Sequence, residues 1–145
     1  MVCLGNICRS PLADGLLRRK VAENNLDVTV DSAGTSGYHT GEGPDKRMTQ
    51  TASLRGTDIG FLRARQFSSA DFDLFDLIYV MDRSNLENVL KLARNEKDKQ
   101  KVKLMLDEAE VPDPYFGGQD GFDHVYDLLD SATDTIIDKI KNKQL

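Results

Sequence analysis

Val2-Cys3-Leu4-Gly5-Asn6-Ile7-Cys8-Arg9-Ser10-Pro11 is the stretch that decides the fold, because a short apolar run passes through a tight turn into a helix start. Serine is favoured at a helix N-cap and proline at the first helical position. We therefore expect Ser10 to cap a helix that continues, with leucines at helical spacing, to about Asn24. A loop between a strand and a helix is typical of α/β folds, in which ligands bind at the carboxyl ends of the strands.

Strand and helix patterns alternate along the rest of the chain. Short apolar runs predict strands at Val28–Val30, Leu77–Met81 and Val102–Leu106. Helical periodicity predicts helices over Asp45–Leu54, from a Ser84–Glu87 capping box to Ala93, and over Phe122–Ile140. The charged run from Arg94 to Lys101 is expected to be a solvated loop. This order predicts an α/β three-layer sandwich with a central, mostly parallel four-stranded sheet and helices on both faces.

Length and composition predict a single domain over residues 1–145. A chain of 145 residues, 39% of them hydrophobic, can bury about two-thirds of its surface in one core. A central first strand should span about five residues, and only Met1 and Val2 precede the turn. We therefore expect a few further residues upstream of Met1.

Charge and cysteine usage narrow the functional classes. The 19 basic and 24 acidic residues leave a net charge of −5, which argues against nucleic-acid partners. No apolar run approaches the roughly 20 residues of a membrane span, so we expect no membrane insertion. The only two cysteines, Cys3 and Cys8, lie too close together to staple a fold. Without a signal-peptide pattern they indicate reduced thiols in the cytoplasm.

The segment Cys3–Ser10 has the form C-x5-R-S and predicts an anion cradle. The backbone N–H groups of such a loop, together with the positive end of the following helix, would surround an oxyanion. The expected phosphate-binding residues are Leu4, Gly5, Asn6, Ile7, Cys8 and Ser10. Gly5 and Asn6 are residue types that tolerate the left-handed backbone such a loop needs. Arg9 can grip two oxygens of the oxyanion.

Cys3 would face a phosphorus atom held in this cradle. The helix end, Arg9 and the Ser10 hydroxyl would favour the thiolate form of Cys3, which is the nucleophilic form. A thiolate attacks a phosphoester without a metal ion or other cofactor. The alternative is that Cys3 and Cys8 are small buried residues and that Arg9 is a surface charge.

The sequence Val2–Gly15, VCLGNICRSPLADG, resembles the signature of the low-molecular-weight protein tyrosine phosphatases. Further motifs of that family recur in order at Asp31-Ser-Ala-Gly, Ala64-Arg-Gln, Met81-Asp-Arg-Ser-Asn and Asp113-Pro-Tyr-Phe. The resemblance implies a cytosolic enzyme that hydrolyses phosphotyrosine in proteins and is inhibited by phosphate and other oxyanions. It implies Cys3 as nucleophile, Arg9 as phosphate ligand and Asp113 as general acid and then base. Asn6, with Ser32, would hold the loop, and Ser10 would hydrogen-bond the thiolate.

Several of these assignments have simpler alternatives. Asp113 before Pro114 would otherwise indicate an ordinary turn. Asp82 could position the loop or Arg9, or it could cap the helix that follows. The aromatic walls of the slot for an aryl phosphate would be Tyr38, Tyr115 and Phe116. Tyr38 could instead be an exposed loop residue, as could its neighbour His39.

A few residues distinguish the expected activity from those of related proteins. Protein-arginine phosphatases resemble this loop but have threonine in place of Ile7, and the apolar Ile7 favours an aryl ester. Thioredoxin-linked arsenate reductases need two further cysteines downstream, and this chain has none after Cys8. A non-catalytic phosphate-binding module would lack the cysteine, arginine or aspartate. A histidine that often precedes the Ala-Arg-Gln motif is absent, and Leu62 and Arg63 stand in that region.

The second cysteine suggests redox control. A tightly curled loop could bring Cys8 close enough to trap an oxidised Cys3 as a disulfide. The alternative is that Cys8 packs beneath the loop as a small apolar residue.

Overall fold

The computed structural model describes residues 1–145, and a four-stranded sheet runs through its centre. The strands are β1 (Val2–Cys3), β2 (Ala33–Gly34), β3 (Ile78–Val80) and β4 (Val102–Leu104). Their order is β2-β1-β3-β4, and all three pairings are parallel. The carboxyl ends of the strands therefore meet at one edge of the sheet, where the functional motifs are expected.

Six helices cover the sheet: α1 (Arg9–Glu23), α2 (Lys46–Leu54), α3 (Asp71–Leu74), α4 (Arg83–Leu90), α5 (Glu96–Gln100) and α6 (Gln119–Lys141). The larger core lies between one face of the sheet and helices α1, α2 and α6. A smaller core, which includes Phe72 and Val89, lies between the opposite face and helices α3 and α4. The predicted three-layer α/β sandwich is confirmed. None of the helices is long and apolar enough to cross a membrane.

The strand predicted at Val28–Val30 is wrong, since β2 begins only at Ala33. The Val28–Val30 segment is neither strand nor helix, and its two valines pack against the larger core. A cleft of about 420 Å³ is lined both by this segment and by residues of β3. No strand lies beside the backbone of Val28–Val30. The pairing of β2 with β1 is therefore confined to Ala33 and Gly34.

The caps predicted at Ser10 and Ser84 are wrong, whereas the alternative that Asp82 caps the helix after it is correct. Helix α1 begins at Arg9, and its N-cap is Cys8, so Ser10 lies inside the first turn. The Ser10 hydroxyl is instead occupied by side chains of the loop. Helix α4 is capped by Asp82, whose Oδ1 accepts from the Asn85 N–H at 2.8 Å, and not by Ser84. Because α4 already begins at Arg83, Ser84 lies within its first turn and not at its N-cap.

The run from Arg94 to Lys101 is not a plain solvated loop, because α5 lies within it. Asn95 caps α5 by accepting a hydrogen bond from the Asp98 N–H at 2.9 Å. The Arg94 guanidinium bridges the Asp98 carboxylate to Asp73 at the end of α3. These hydrogen bonds and ion pairs hold the segment in a fixed conformation, although its charged residues had indicated a solvated loop.

Candidate active site

The predicted site residues converge at the carboxyl edge of the sheet. The loop from Leu4 to Cys8 connects β1 to α1 and forms the floor of a cavity of about 340 Å³. The residues that line this cavity are Cys3, Leu4, Gly5, Ile7, Cys8, Arg9, Ser36, Tyr38, His39, Asp113, Tyr115 and Phe116. Segments that follow β1, β2 and β4 thus contribute to one site.

Asn6 connects the loop to its neighbours. Its backbone is left-handed, with φ 56°, a conformation that asparagine tolerates better than most residues. The Asn6 side-chain amide donates to Ser10 Oγ at 2.7 Å and to Ser32 Oγ at 3.0 Å. Asn6 Oδ1 accepts from the backbone N–H of Arg65 at 3.1 Å. One buried side chain therefore joins the loop to α1, to the segment before β2 and to the strand-like segment at Arg65.

The sulfur of Cys3 is buried and surrounded by hydrogen-bonding groups. Cys3 Sγ lies 3.1 Å from Ser10 Oγ and accepts from the Asn6 N–H at 3.3 Å. Because Ser10 Oγ already accepts from the Asn6 amide, its own proton is available for the sulfur or for the Ala33 carbonyl at 3.4 Å. Both donors toward the sulfur stabilise a negative charge there.

Arg9 is a buried cation that three groups hold in place. Arg9 Nη1 donates to Asp82 Oδ2 at 2.7 Å and to the Val111 carbonyl at 2.9 Å. Arg9 Nη2 lies 3.7 Å from Asp113 Oδ2. Asp82 thus performs both roles considered for it, since one oxygen holds Arg9 and the other caps α4. The remaining guanidinium N–H groups are left for an anion in the cavity.

Asp113 lines the cavity, and its side chain is 40% exposed. Asp113 Oδ1 accepts from the Tyr115 N–H at 3.1 Å, which folds the Asp-Pro-Tyr motif into a tight turn. The chain just before it is fixed because the Val111 N–H donates to the Met81 carbonyl at 2.8 Å. A carboxyl group at this place faces the cavity and remains open to water.

The aromatic residues form a more open rim than the deep slot the sequence suggested. Tyr38 is 87% exposed and Phe116 is 92% exposed, whereas Tyr115 is only 38% exposed. Tyr115 and Phe116 pack edge to face, with ring centroids 4.9 Å apart. Tyr38 packs in the same way on His39, at 5.2 Å. Both walls are present, and their outer parts are free to contact a substrate.

Two glycines of the site, Gly5 and Gly34, are required because neighbouring atoms lie too close to leave room for a Cβ, and not because their backbone is left-handed. Of the two loop residues expected to tolerate a left-handed backbone, only Asn6 adopts it, and the φ of Gly5 is not positive. A Cβ on Gly5 would instead lie 3.1 Å from the His39 ring, which covers the loop. A Cβ on Gly34 would lie 2.8 Å from the Leu4 carbonyl, so β2 approaches the loop as only glycine allows.

Four contributors to the site were not predicted as site residues: Val111, Arg65, His39 and Ser36, the last of which lines the cavity. Val111 contributes a backbone carbonyl that no side-chain pattern signals, and Arg65, within the Ala64-Arg-Gln motif, contributes a backbone N–H. His39 covers Gly5, and its Nδ1 lies 2.6 Å from Glu42 Oε2, so it is more than an ordinary loop residue. The only signal for His39 was its position beside Tyr38.

Cys8 is chemically unlike Cys3. Burial, followed by the negative charges of Asp45, Cys3 and Asp113, raises the pKa of the Cys8 thiol far above its ordinary range. Cys8 therefore stays protonated at neutral pH and is a poor nucleophile. Both cysteines are free and line the same cavity, and a Cys3–Cys8 disulfide stays a prediction.

This difference predicts selective alkylation. Iodoacetamide at pH 7 should modify Cys3 at least tenfold faster than Cys8, because only the thiolate reacts and the raised pKa of Cys8 keeps it protonated. Peptide mapping by mass spectrometry would measure both rates, with inorganic phosphate present as a protecting control. Equal labelling of the two cysteines would contradict the assignment.

Comparison with known proteins identifies the family. The family model described as low molecular weight phosphotyrosine protein phosphatase matches residues 1–145. A Synechocystis protein provisionally named a low molecular weight protein-tyrosine-phosphatase is 45% identical over 144 residues, which cover 94% of this chain and 91% of that protein. Two solved structures extend the comparison.

The first is a protein tyrosine phosphatase from Entamoeba histolytica with Hepes in its active site. It is 39% identical with a TM-score of 0.94, and the match covers 99% of this chain and 96% of that one. The second is Vibrio vulnificus Wzb in complex with benzylphosphonate. It is 29% identical with a TM-score of 0.86, and the match covers 95% of this chain and 94% of that one. The chain therefore belongs to the low molecular weight phosphotyrosine protein phosphatase family.

Proposed function

We propose that this phosphatase hydrolyses phosphotyrosine in proteins through a cysteinyl-phosphate intermediate on Cys3. The observation that carries the proposal is the buried Cys3 sulfur at the cavity floor, with Arg9 and Asp113 lining the same cavity. A free nucleophilic thiol requires a reducing compartment, so we place the enzyme in the cytoplasm. All residues that a non-catalytic phosphate-binding module would lack are present.

The cradle suits a phosphate dianion. The N-terminus of α1 and the loop backbone supply N–H donors, and Arg9 supplies a charged donor held by Asp82. Hepes, bound by the Entamoeba relative, carries a sulfonate, and benzylphosphonate, bound by the Vibrio relative, carries a phosphonate on a benzyl group. Ligands of this kind support the same oxyanion site here, with inorganic phosphate as an inhibitor.

In the first step the Cys3 thiolate attacks phosphorus. The S–P bond forms while the P–O bond to the leaving phenol breaks, and Asp113 transfers its proton to the departing oxygen. Arg9 and the loop N–H groups stabilise the charge on the equatorial oxygens. The Ser10 hydroxyl, 3.1 Å from the sulfur, stabilises the thiolate before attack.

In the second step water attacks the cysteinyl-phosphate. Asp113, now a carboxylate, takes a proton from the water as its oxygen bonds to phosphorus. The S–P bond breaks, the thiolate returns and inorganic phosphate is released. The 40% exposure of Asp113 gives this water access to the base.

The rim supports an aryl ester as the substrate. Ile7 lines the cavity beside the tyrosine walls and offers an apolar contact to a phenyl ring. A phosphoserine side chain has no ring to contact Ile7 and the tyrosine walls, so we expect it to be a poorer substrate. A phosphoarginine substrate is the rival, and relative rates on the two substrates decide between them.

The direct test is an assay of Cys3→Ser with p-nitrophenyl phosphate in the presence of EDTA. The wild type should keep its full rate in EDTA, because the thiolate mechanism uses no metal ion. Cys3→Ser should lose more than 99% of the rate while still binding vanadate, because the cradle is built of backbone and Arg9. Loss of wild-type activity in EDTA, or substantial turnover by Cys3→Ser, would sink the proposed mechanism.

Asp113→Ala should lower kcat on phenyl phosphate by about 10²- to 10³-fold, the usual contribution of a general acid. The loss should shrink for esters of more acidic phenols, because their leaving groups need little protonation. Steady-state rates across a series of substituted phenyl phosphates would measure this trend. A uniform loss across the series would assign Asp113 a structural role.

Ile7→Thr should shift the enzyme toward phosphoarginine relative to phosphotyrosine. The hydroxyl can address the phosphoguanidinium group, and the apolar contact to the phenyl ring is lost. The ratio of the two kcat/KM values measures the shift, with phosphoserine as a negative control. An unchanged ratio would remove Ile7 from the determinants of specificity.

A further inference from the structure

We propose that Arg47, on α2, is a positioning residue that sets the general acid Asp113 against the nucleophile loop. The inference rests on the proposed function, because it concerns the acid step of that mechanism. Arg47 does not line the cavity, and no motif in the sequence singled it out. Its contacts nonetheless connect the two halves of the site.

Arg47 holds the chain immediately after the acid. Arg47 Nη2 donates to the Tyr115 carbonyl at 2.9 Å, two residues beyond Asp113. The guanidinium also lies 5.5 Å from the centroid of the Tyr115 ring, which forms one wall of the cavity. Since the Tyr115 N–H donates to Asp113 Oδ1, displacement of Tyr115 displaces the carboxyl group with it.

Arg47 is itself fixed on the nucleophile loop through Asp45. The two side chains form a forked pair, with Nη2–Oδ2 at 3.0 Å and Nε–Oδ1 at 3.2 Å. The backbone N–H of Asp45 donates to the Ile7 carbonyl at 2.8 Å. Burial alone would raise the pKa of Asp45, but the hydrogen bonds from Arg47 outweigh it and lower that pKa, so the pair is ionised at neutral pH.

The Arg47 side chain also lies over a buried aromatic ring. Its guanidinium lies 4.6 Å from the ring centroid of Phe122, which is fully buried in the first turns of α6. Before the acid, the chain is held at Val111 by Arg9 and by the Met81 carbonyl. Beyond it, the Gln119 side chain donates to Thr51 Oγ1 at 2.8 Å, and between these two points the Tyr115 carbonyl accepts from Arg47.

Small displacements of a general acid are costly, because the proton donor must lie within hydrogen-bond reach of the leaving oxygen. Exposed ion pairs, in contrast, add little to the stability of a fold. The Arg47 side chain is 46% exposed, whereas that of Asp45 is only 11% exposed. When the guanidinium is removed, Asp45 Oδ1 still accepts from the Arg47 backbone N–H at 2.8 Å. Removal of the guanidinium should therefore impair the acid step and leave the fold intact.

The test compares Arg47→Met and Arg47→Lys with a matched control, Arg55→Met. Arg55, at the other end of α2, also pairs with a carboxylate, Asp127 at 2.6 Å, and also stacks on an α6 aromatic ring, Tyr126 at 4.0 Å. Arg55 lies outside the cavity and contacts neither loop of the site. It therefore reproduces the chemistry of Arg47 without its position.

Arg47→Met should lower kcat on phenyl phosphate by about 10- to 100-fold. The loss should be smaller for p-nitrophenyl phosphate, and the inhibition constant for inorganic phosphate should not change. Arg47→Lys keeps the charge but not the fork, and should fall between the wild type and Arg47→Met. Arg55→Met should stay within twofold of the wild type, and all variants should melt within about 3 °C of it.

A double variant separates positioning from a general loss of structure. In an Asp113→Ala background, Arg47→Met should cause no further loss, because no acid remains to be positioned. An undiminished loss in that background, an equal loss for every leaving group, or no loss in either Arg47 variant would overturn the inference. Inactivity of the wild type on all aryl phosphates would instead overturn the proposed function.

Discussion

A buried positive charge imposes the geometry of this site. Arg9 is only 3% exposed, and an ion removed from water is tolerated only where opposite charges and hydrogen-bond acceptors surround it. Those partners come from the end of β3, at Asp82, and from the chain beyond β4, at Val111 and Asp113. The need to satisfy one guanidinium therefore draws two strand ends toward the loop that follows β1.

Asn6 joins the uncharged groups around the loop by hydrogen bonds, as Arg9 joins the charged ones. Its left-handed backbone turns the loop, and its amide uses both its donor and its acceptor within the protein. The Ser10 hydroxyl that it engages keeps its proton for the Cys3 sulfur or the Ala33 carbonyl. Cradle and nucleophile are thus ordered by one connected set of hydrogen bonds before any anion binds, which is the condition for electrostatic preorganisation.

Sequence patterns predicted those features that depend on local chemistry. The β3 segment is apolar because helices cover both faces of the sheet, and α6 carries one long apolar stripe. The segment Cys3–Ser10 contains the nucleophile and the phosphate-binding arginine within eight residues. Its position between a strand and a helix could therefore be predicted from the sequence alone. What failed depended on distant partners: Val28–Val30 has strand composition but no neighbouring strand, and Ser10 has cap chemistry but another role.

Backbone contributions form the other class of omission. The Val111 carbonyl and the Arg65 N–H serve the site whatever side chains those positions carry. Gly5 was singled out for the wrong reason, since the constraint on it is the His39 ring and not its own dihedral angle. Such contacts become visible only when segments remote in sequence are placed beside one another.

The two oxygens of Asp82 give helix α4 a share in the site. Because Oδ1 caps the helix and Oδ2 neutralises Arg9, unwinding the first turn of α4 frees the carboxylate to turn toward water. The buried guanidinium then loses its closest counter-charge, so opening this short surface helix costs more than its own few contacts suggest. An anion that requires Arg9 in its ordered position binds only the molecules in which the first turn of α4 is folded. By mass action it therefore protects the backbone amides of α4 from exchange with solvent. Binding of an anion in the cavity thus stabilises a helix that lies on the opposite face of the sheet from α1.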